Sequence, residues 1–413
     1  MEAGAFDRAI TDHATAILLR YFSSVNSVIS ERPKVAIERD RELLRLHWSL
    51  SSSVSALVDY ALEHRHEIQT VLGSAVRFED GTVRGRLDAM ATVRMRQVSG
   101  LATAIVSHEP LRSYASGPNH VLGWVLMQAW SLASRFSTVT LDSPAYRSSI
   151  DNTLQRLEQC RRIHAISQIT GQTALNRRPT AGAILEASRS RRILYRMATD
   201  AYKALLAIEA GDPKAVTAML RETLLGPLEA WRRFELAVGF SIAEALASAE
   251  GQPLSLNFLL GEARRRLAQV GRFEVYWQWP TTHYISPPPE PSDLVTQKIL
   301  NVYDMRSSSD RPDLVVTDRL RNEVAAIIEV KYLTGEDGSD RVRSAVRQLV
   351  RYARGYSLLE HSAPLLGRSI VVLSQGIDEI TNPTPLPDGI PSLTDFKGIT
   401  QGFFLPWARR LCA

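Results

Sequence analysis

The sequence predicts an α+β chain, with a largely helical N-terminal half and a C-terminal α/β domain built on a mixed central sheet. Three observations predict it. Apolar residues recur at three-to-four spacing through much of the first 248 positions, the period of an amphipathic helix. Near residue 252 the pattern changes to alternation and short apolar runs, the mark of strands. Beyond a Pro-rich connection the order of segments is strand, strand, strand, helix, strand, which fits an α/β core. At 413 residues the chain exceeds one ordinary core. We expect three segments: 1–118 (helical and β, contacting a partner or DNA), 119–224 (a helical linker) and 225–413 (the α/β domain).

Residues 1–75 read mostly as helix, with Leu43, Leu46, Leu50, Val54, Leu57 and Leu62 on a helical spacing. FEDGTVRGRLDAMATVRMRQV follows as a strand-like patch with a turn at Asp80-Gly81, and LATAIVSHE as a further strand. SYASGPNHVLGWVLMQAWSLASRF opens a long helical region that runs, with interruptions, to about residue 248. In GRFEVYWQWP, Phe273, Val275, Trp277 and Trp279 alternate with polar neighbours, a strand whose tryptophans read as core. ISPPPEPSD excludes helix and central strand. DLVTQKILNVY, PDLVVTD and AAIIEVKYL are the three strands, RVRSAVRQLVRYARGYSLL the helix, and RSIVVLSQ the last strand.

Hydrophobic residues make up 45% and charged residues 23% of the chain, which argues against wholesale disorder. The formal net charge is +5 and Arg far outnumbers Lys. Such a balance permits a nucleic-acid partner without requiring one. Cys160 and Cys412 form no CxxC or cluster, so neither a disulfide framework nor a zinc finger is expected. The first residues lack the pattern of a secretory signal, and no apolar run is long enough for a membrane span. The expected setting is cytoplasmic. No GxxxxGK[ST] phosphate loop occurs.

The chemistry is carried by RPDLVVTDRLRNEVAAIIEVKYL, residues 311–333. Residues two apart on a strand share a face, so Glu329 and Lys331 project together. Asp313 opens the preceding strand. If the two strands are neighbours, two carboxylates and an ammonium meet at one spot. Carboxylates so close repel unless a cation sits between them. Oxygen-only ligation favours Mg²⁺ or Mn²⁺ over zinc, with Asp313 and Glu329 as the ligands. Lys331 cannot ligate a cation. It can orient an attacking water or stabilise charge developing on a phosphate. Such a site suits metal-assisted phosphodiester hydrolysis. The bland alternative is a surface Glu–Lys pair, which the surrounding AAII, Val and Tyr argue against, because unpaired charge is costly in a buried strand. On the following helix Gln348 and Tyr352 share a face, with Val346, Leu349, Val350 and Ala353 as the expected packing side. The same helix carries Arg341, Arg343, Arg347, Arg351 and Arg354, an excess suited to phosphates, with Arg347 and Arg351 as the expected backbone contacts.

Pro312-Asp313, Glu329-Val330-Lys331, Gln348 and Tyr352 together resemble the PD-(D/E)XK nuclease signature with the Gln-x-x-x-Tyr helix of its RecB-like branch. The resemblance implies a restriction-endonuclease-like fold and a glutamate on a helix before the first core strand. Glu235, in RRFELAVGFSIAEAL, is the preferred candidate, because FELAVGFSIAEAL resembles the corresponding helix of McrC-type nucleases. Glu262, in FLLGEARRRLAQV, is the fallback. Weaker likeness to that group covers GRLDAMATVRMR, SGPNHVLGWVL and ASRSRRILYRMATDAY, with one departure: Pro118 precedes Asn119 where the group often has an acid. The resemblance implies a Mg²⁺-dependent deoxyribonuclease, as a McrC-like restriction or anti-phage defence component. In it Asp313 and Glu329 bind metal, Glu235 assists, Lys331 serves the water, and Gln348, Tyr352, Arg347 and Arg351 hold DNA. It also implies a separate AAA+ GTPase or ATPase motor as partner. Two rivals stay open: a repair or recombination nuclease, and a non-cleaving DNA- or partner-binding module on the same fold.

Overall fold

A computed structural model describes residues 3–27, 42, 44–137, 144–171, 177–256, 266–278, 311–333, 338–356, 362–376 and 386–413. The expected strand DLVTQKILNVY, the Pro-rich connection, Glu262 and Trp279 lie outside the described residues. The chain divides into two compact units: residues 1–47, 137–148 and 208–413 in one, and residues 48–136 and 149–207 in the other. This division differs from the expected breaks after 118 and 224, because the first 47 residues pack with the C-terminal unit rather than with the residues that follow them.

The chain opens with helix α1 (Ala3–Ser27). The second unit then contains α2 (Ser52–Glu63), β1 (Val71–Asp80), β2 (Arg86–Leu87), α3 (Ala89–Ser99), β3 (Ala104–Ser113) and α4 (Gly117–Ser137). It continues with α5 (Pro144–Arg161), α6 (His164–Thr170), α7 (Ala181–Ser188) and α8 (Ile193–Glu209). Its small sheet runs in the order β1-β3-β2, with β1 and β3 antiparallel. The strand expected through residues 89–98 is instead α3. Asp88 caps it by accepting from the Ala91 amide at 2.9 Å, and Gly100 ends it in the left-handed region at φ 72°. These two end signals outweigh the β-branched residues between them. Asn119, after the unexpected Pro118, donates to the Gln69 and Tyr114 carbonyls, both at 2.9 Å, and accepts from the Tyr195 hydroxyl at 2.6 Å.

In the first unit, α9 (Pro213–Leu220) and α10 (Ala230–Glu250) lead into β4 (Leu254–Leu256), β5 (Arg266–Val270) and β6 (Phe273–Trp277). There follow β7 (Leu314–Asp318), β8 (Glu323–Lys331), α11 (Gly338–Tyr356), α12 (Ser362–Arg368), β9 (Ile370–Leu373), β10 (Ser392–Asp395), α13 (Phe396–Thr400) and α14 (Phe404–Cys412). The seven strands are ordered β10-β9-β8-β7-β6-β5-β4. From β4 to β8 each pair is antiparallel, and β8-β9 and β9-β10 are parallel, so the sheet is mixed as expected. β4, β5 and β10 extend it beyond the strands read from sequence; RLAQV, beside Glu262, is strand β5.

The β7–β8 hairpin sets the site, and its turn explains why the two strands are neighbours. Asp318 accepts from the Leu320 and Arg321 amides at 2.8 and 3.2 Å, and Asn322 takes φ 53°, a left-handed position that Asn tolerates better than most residues. One face of the hairpin is covered by α11 and α12, where Val315, Val324 and Ile327 pack with Tyr352, Ala353 and Leu365. The buried stripe of α11 is Ala345, Leu349, Tyr352 and Ala353, at helical i, i+4, i+7 and i+8. Val346 and Val350, expected in that stripe, are exposed at its flank. Helix α10 reaches the sheet through Gly239, where an added Cβ would stand 2.3 Å from Leu267 Cδ2 and 3.1 Å from Leu314 Cδ2. Both leucines are fully buried and have nowhere to retreat. Gly239→Ala therefore destabilises the unit by about 1–2 kcal/mol, overpacking outweighing the gain of ~1 kcal/mol in helix propensity. A urea midpoint that rises on this substitution would show that the helix can step back.

Candidate active site

The register Leu314↔Ile328 places Asp313, one residue before β7, opposite Glu329 near the end of β8. Asp313 Oδ2 accepts from the Val330 amide at 2.8 Å. The two carboxyls stand close enough that, after burial, the negative charge of Asp313 raises the Glu329 carboxyl. Lys331 Nζ donates to Glu329 Oε1 at 2.5 Å. Glu329 and Lys331 share a strand face, as their spacing demands. The expectation that two acids and an amine converge at neighbouring strand ends is met.

Glu235 is the sixth residue of α10 and is 5% exposed. Its Oε2 accepts from Trp277 Nε1 at 2.7 Å and from Gln278 Nε2 at 2.8 Å. Gln278 also donates its amide to the Asp313 carbonyl at 2.8 Å, so one residue braces both acids. It does so from φ 49°, a left-handed backbone that costs energy for a residue other than Gly. Trp277, read from sequence as core, is buried but contributes its indole N–H to the site; Gln278 was not singled out at all. The only sequence signal for either was the Trp-Gln pair ending the alternating run, which says nothing about which helix passes above it.

Burial dominates the electrostatics. Burial first, then the negative charges of Asp313 and Glu329, raise the Glu235 carboxyl to about 8 against the two donors on Oε2. Burial also raises Asp313 and Glu329, while the Lys331 ammonium acts in the opposite direction on both. Three acids under upward pressure, with one ammonium among them, make a site short of positive charge. Glu329 Oε2 is buried without a hydrogen-bond partner among the described residues, as is Gln348 Oε1. Among the described residues no three His, Cys, Asp or Glu side chains stand together as a ready cation cage. The fit to a hard divalent ion therefore rests on the Asp313–Glu329 pair and its orphaned oxygen, a donor set of the right chemistry.

The remaining expected residues lie on α11. The Tyr352 side chain is buried, and its hydroxyl donates to the Arg311 carbonyl at 3.1 Å, steadying the segment that delivers Asp313. Gln348 is half-buried, and Arg347 and Arg351 are exposed, as phosphate contacts require.

No family model matches the chain, and no curated protein does. Among solved structures, an assembly of Thermococcus gammatolerans McrB AAA+ hexamers with bound McrC is similar at 12% identity and a TM-score of 0.26, over 94% of this chain and 69% of the matched chain. A likeness at that level carries no argument. No helix among the described residues is long and apolar enough to cross a membrane.

Proposed function

We propose that the unit bearing Asp313, Glu329 and Lys331 is a metal-dependent deoxyribonuclease of the PD-(D/E)XK kind, hydrolysing phosphodiester bonds. One observation carries the reading: two buried acids meet across the β7–β8 hairpin with Lys331 Nζ on Glu329, and one Glu329 oxygen has no hydrogen-bond partner among the described residues. Asp313 and Glu329 would hold Mg²⁺ or Mn²⁺, which supplies Lewis-acid stabilisation of charge on the phosphate and a more acidic water. Lys331 orients the water and offsets charge developing on the phosphate oxygens. Glu235 is anchored through Oε2, which leaves Oε1 for a proton or a water. Tyr352 fixes the approach to Asp313, and Gln348 offers an amide to the DNA backbone. Arg347 and Arg351 neutralise phosphates from the exposed face of α11.

The motif resemblance supports a setting in restriction or anti-phage defence of the McrC type. The resemblance also supports an AAA+ motor as partner, and the 413 residues carry no GxxxxGK[ST] phosphate-binding loop of their own. Cleavage of plasmids with and without modified bases, in Mg²⁺ and in chelator, tests the reading. Cutting that needs the cation and is lost in Asp313→Asn supports it. DNA bound but uncut in both Mg²⁺ and Mn²⁺ favours a binding module instead. Preference for ends or branched substrates favours repair or recombination.

The exposed arginines make a separate prediction. Arg347→Ala combined with Arg351→Ala reduces the slope of log affinity against log salt by about 2, near 0.9 for each lost phosphate contact. An unchanged slope places the DNA elsewhere.

A further inference from the structure

Helix α1 is joined to the proposed site by contacts that neither its sequence nor the nuclease motifs announce. Asp7 Oδ1 accepts from the Tyr332 hydroxyl at 2.7 Å, and Asp7 Oδ2 from Arg233 Nη2 at 3.2 Å. Tyr332 directly follows Lys331, and Arg233 stands two residues before Glu235. One carboxylate thus grips two of the three chain segments that carry the proposed chemistry. Aromatic packing reinforces it: the Phe6 and Phe234 rings lie 6.2 and 6.3 Å from the Tyr332 ring, and both also meet Phe396, at 5.5 and 6.2 Å. Further along α1, His13 Nε2 and Ser241 Oγ are 2.9 Å apart, and Arg20 makes a two-pronged pair with Glu244 at 2.6 and 2.8 Å. Asp7 with Arg233, His13 with Ser241 and Arg20 with Glu244 advance together, so α1 runs alongside α10 in the same direction.

We infer that α1 is a positioning element of the site, acting through Asp7 on Tyr332 and Arg233; this rests on the proposed nuclease reading. The mechanical reason is strand geometry. Lys331 and Tyr332 point to opposite faces of the strand. Holding Tyr332 on one face fixes the rotation of the strand end about its own axis, and with it the direction in which Lys331 leaves the other face. The β9 side holds the backbone on either side of Tyr332, through Ser374 N–H on the Lys331 carbonyl at 2.9 Å and the Leu333 amide on Ser374 Oγ at 2.8 Å, whereas the Tyr332 side chain itself is held from α1. Small misplacements of a catalytic group cost far more in rate than in stability. Asp7 is therefore a positioning residue, with its effect on turnover.

Single-turnover cleavage by the full chain in Mg²⁺, with DNA affinity measured separately, tests this. Asp7→Ala is expected to slow cleavage about 10- to 100-fold with DNA affinity unchanged. Tyr332→Phe, which removes one hydroxyl and keeps the ring packing, should slow it too, and the double variant should be no slower than Asp7→Ala alone. Arg20→Ala is the control: it breaks a pair on the same helix away from the site, so it lowers thermal stability and leaves the rate alone. Cleavage by Asp7→Ala and Tyr332→Phe at the wild-type rate, whatever happens to stability, overturns the inference and leaves the nuclease reading standing. If wild type itself does not cut, the nuclease reading fails. Amide exchange at residues 329–333 then decides the positioning role, faster in Asp7→Ala and unaffected in Arg20→Ala if it holds, equal in both if it does not.

Discussion

Lys331→Met abolishes Mg²⁺-dependent cleavage, by at least about 10²–10³-fold, and leaves DNA affinity within about twofold. Methionine keeps the length and apolar stem of the side chain, so the change isolates the ammonium. That ammonium sits 2.5 Å from Glu329 Oε1 and holds down the pKa of both Glu329 and Asp313. Without it, burial drives the acids further toward their protonated forms, which must be given up before a cation is bound. Two losses therefore combine: weaker metal binding near pH 7, and no group to orient the water. They are separable. If carboxyl protonation were the whole effect, raising the pH and the Mg²⁺ concentration would restore cleavage. We expect recovery of metal binding without recovery of rate. Activity within tenfold of wild type at pH 7 would remove Lys331 from the mechanism.

The second large effect is on stability, and its sign is opposite to that of most carboxylates. Glu235 takes up its proton more readily folded, at about 8, than at its ordinary value of 4.5. A raised carboxyl pKa contributes stability that is complete below the unfolded value and is lost as pH rises through the folded one. Asp313 and Glu329 are pushed the same way, again chiefly by burial. In chelator, the wild-type urea midpoint should therefore fall between pH 5 and pH 8.5. Glu235→Gln mimics the protonated acid and can still accept from Trp277 and Gln278 through its carbonyl oxygen. It should match wild type at pH 5 and exceed it at pH 8.5, by on the order of a few kcal/mol. A wild-type midpoint that holds steady across this range, with the variant tracking it, would mean that Glu235 is ionised and solvated in the folded protein.

Much of the site could be read before any coordinates. Strand spacing alone puts Glu329 and Lys331 on one face, and helix spacing puts Gln348 near Tyr352, because both periods are local properties of the backbone. Strand spacing does not fix the β7–β8 pairing, since adjacency is a tertiary fact, but Asp318 and Asn322 carry turn chemistry that favours it. The misreadings have the same origin. Residues 89–98 looked like strand by composition, and end-capping at Asp88 and Gly100 made them helix. Val346 and Val350 were placed inside by hydropathy, but α11 buries the face carrying Ala345, Leu349, Tyr352 and Ala353, which leaves them outside.

What the amino-acid order determined by itself was which chemistry-bearing residues share a strand or a helix face, and hence an acid and an amine side by side on β8 and arginines along α11. Only the three-dimensional packing decided that Glu235 receives Trp277 and Gln278, that Tyr352 holds the peptide before Asp313, and that Asp7 grips the residues beside Lys331 and Glu235. The reason is range. Periodicity acts over a few residues, whereas these contacts join positions 41 to 325 apart in sequence, and nothing local records which surfaces the collapse of the core will bring together.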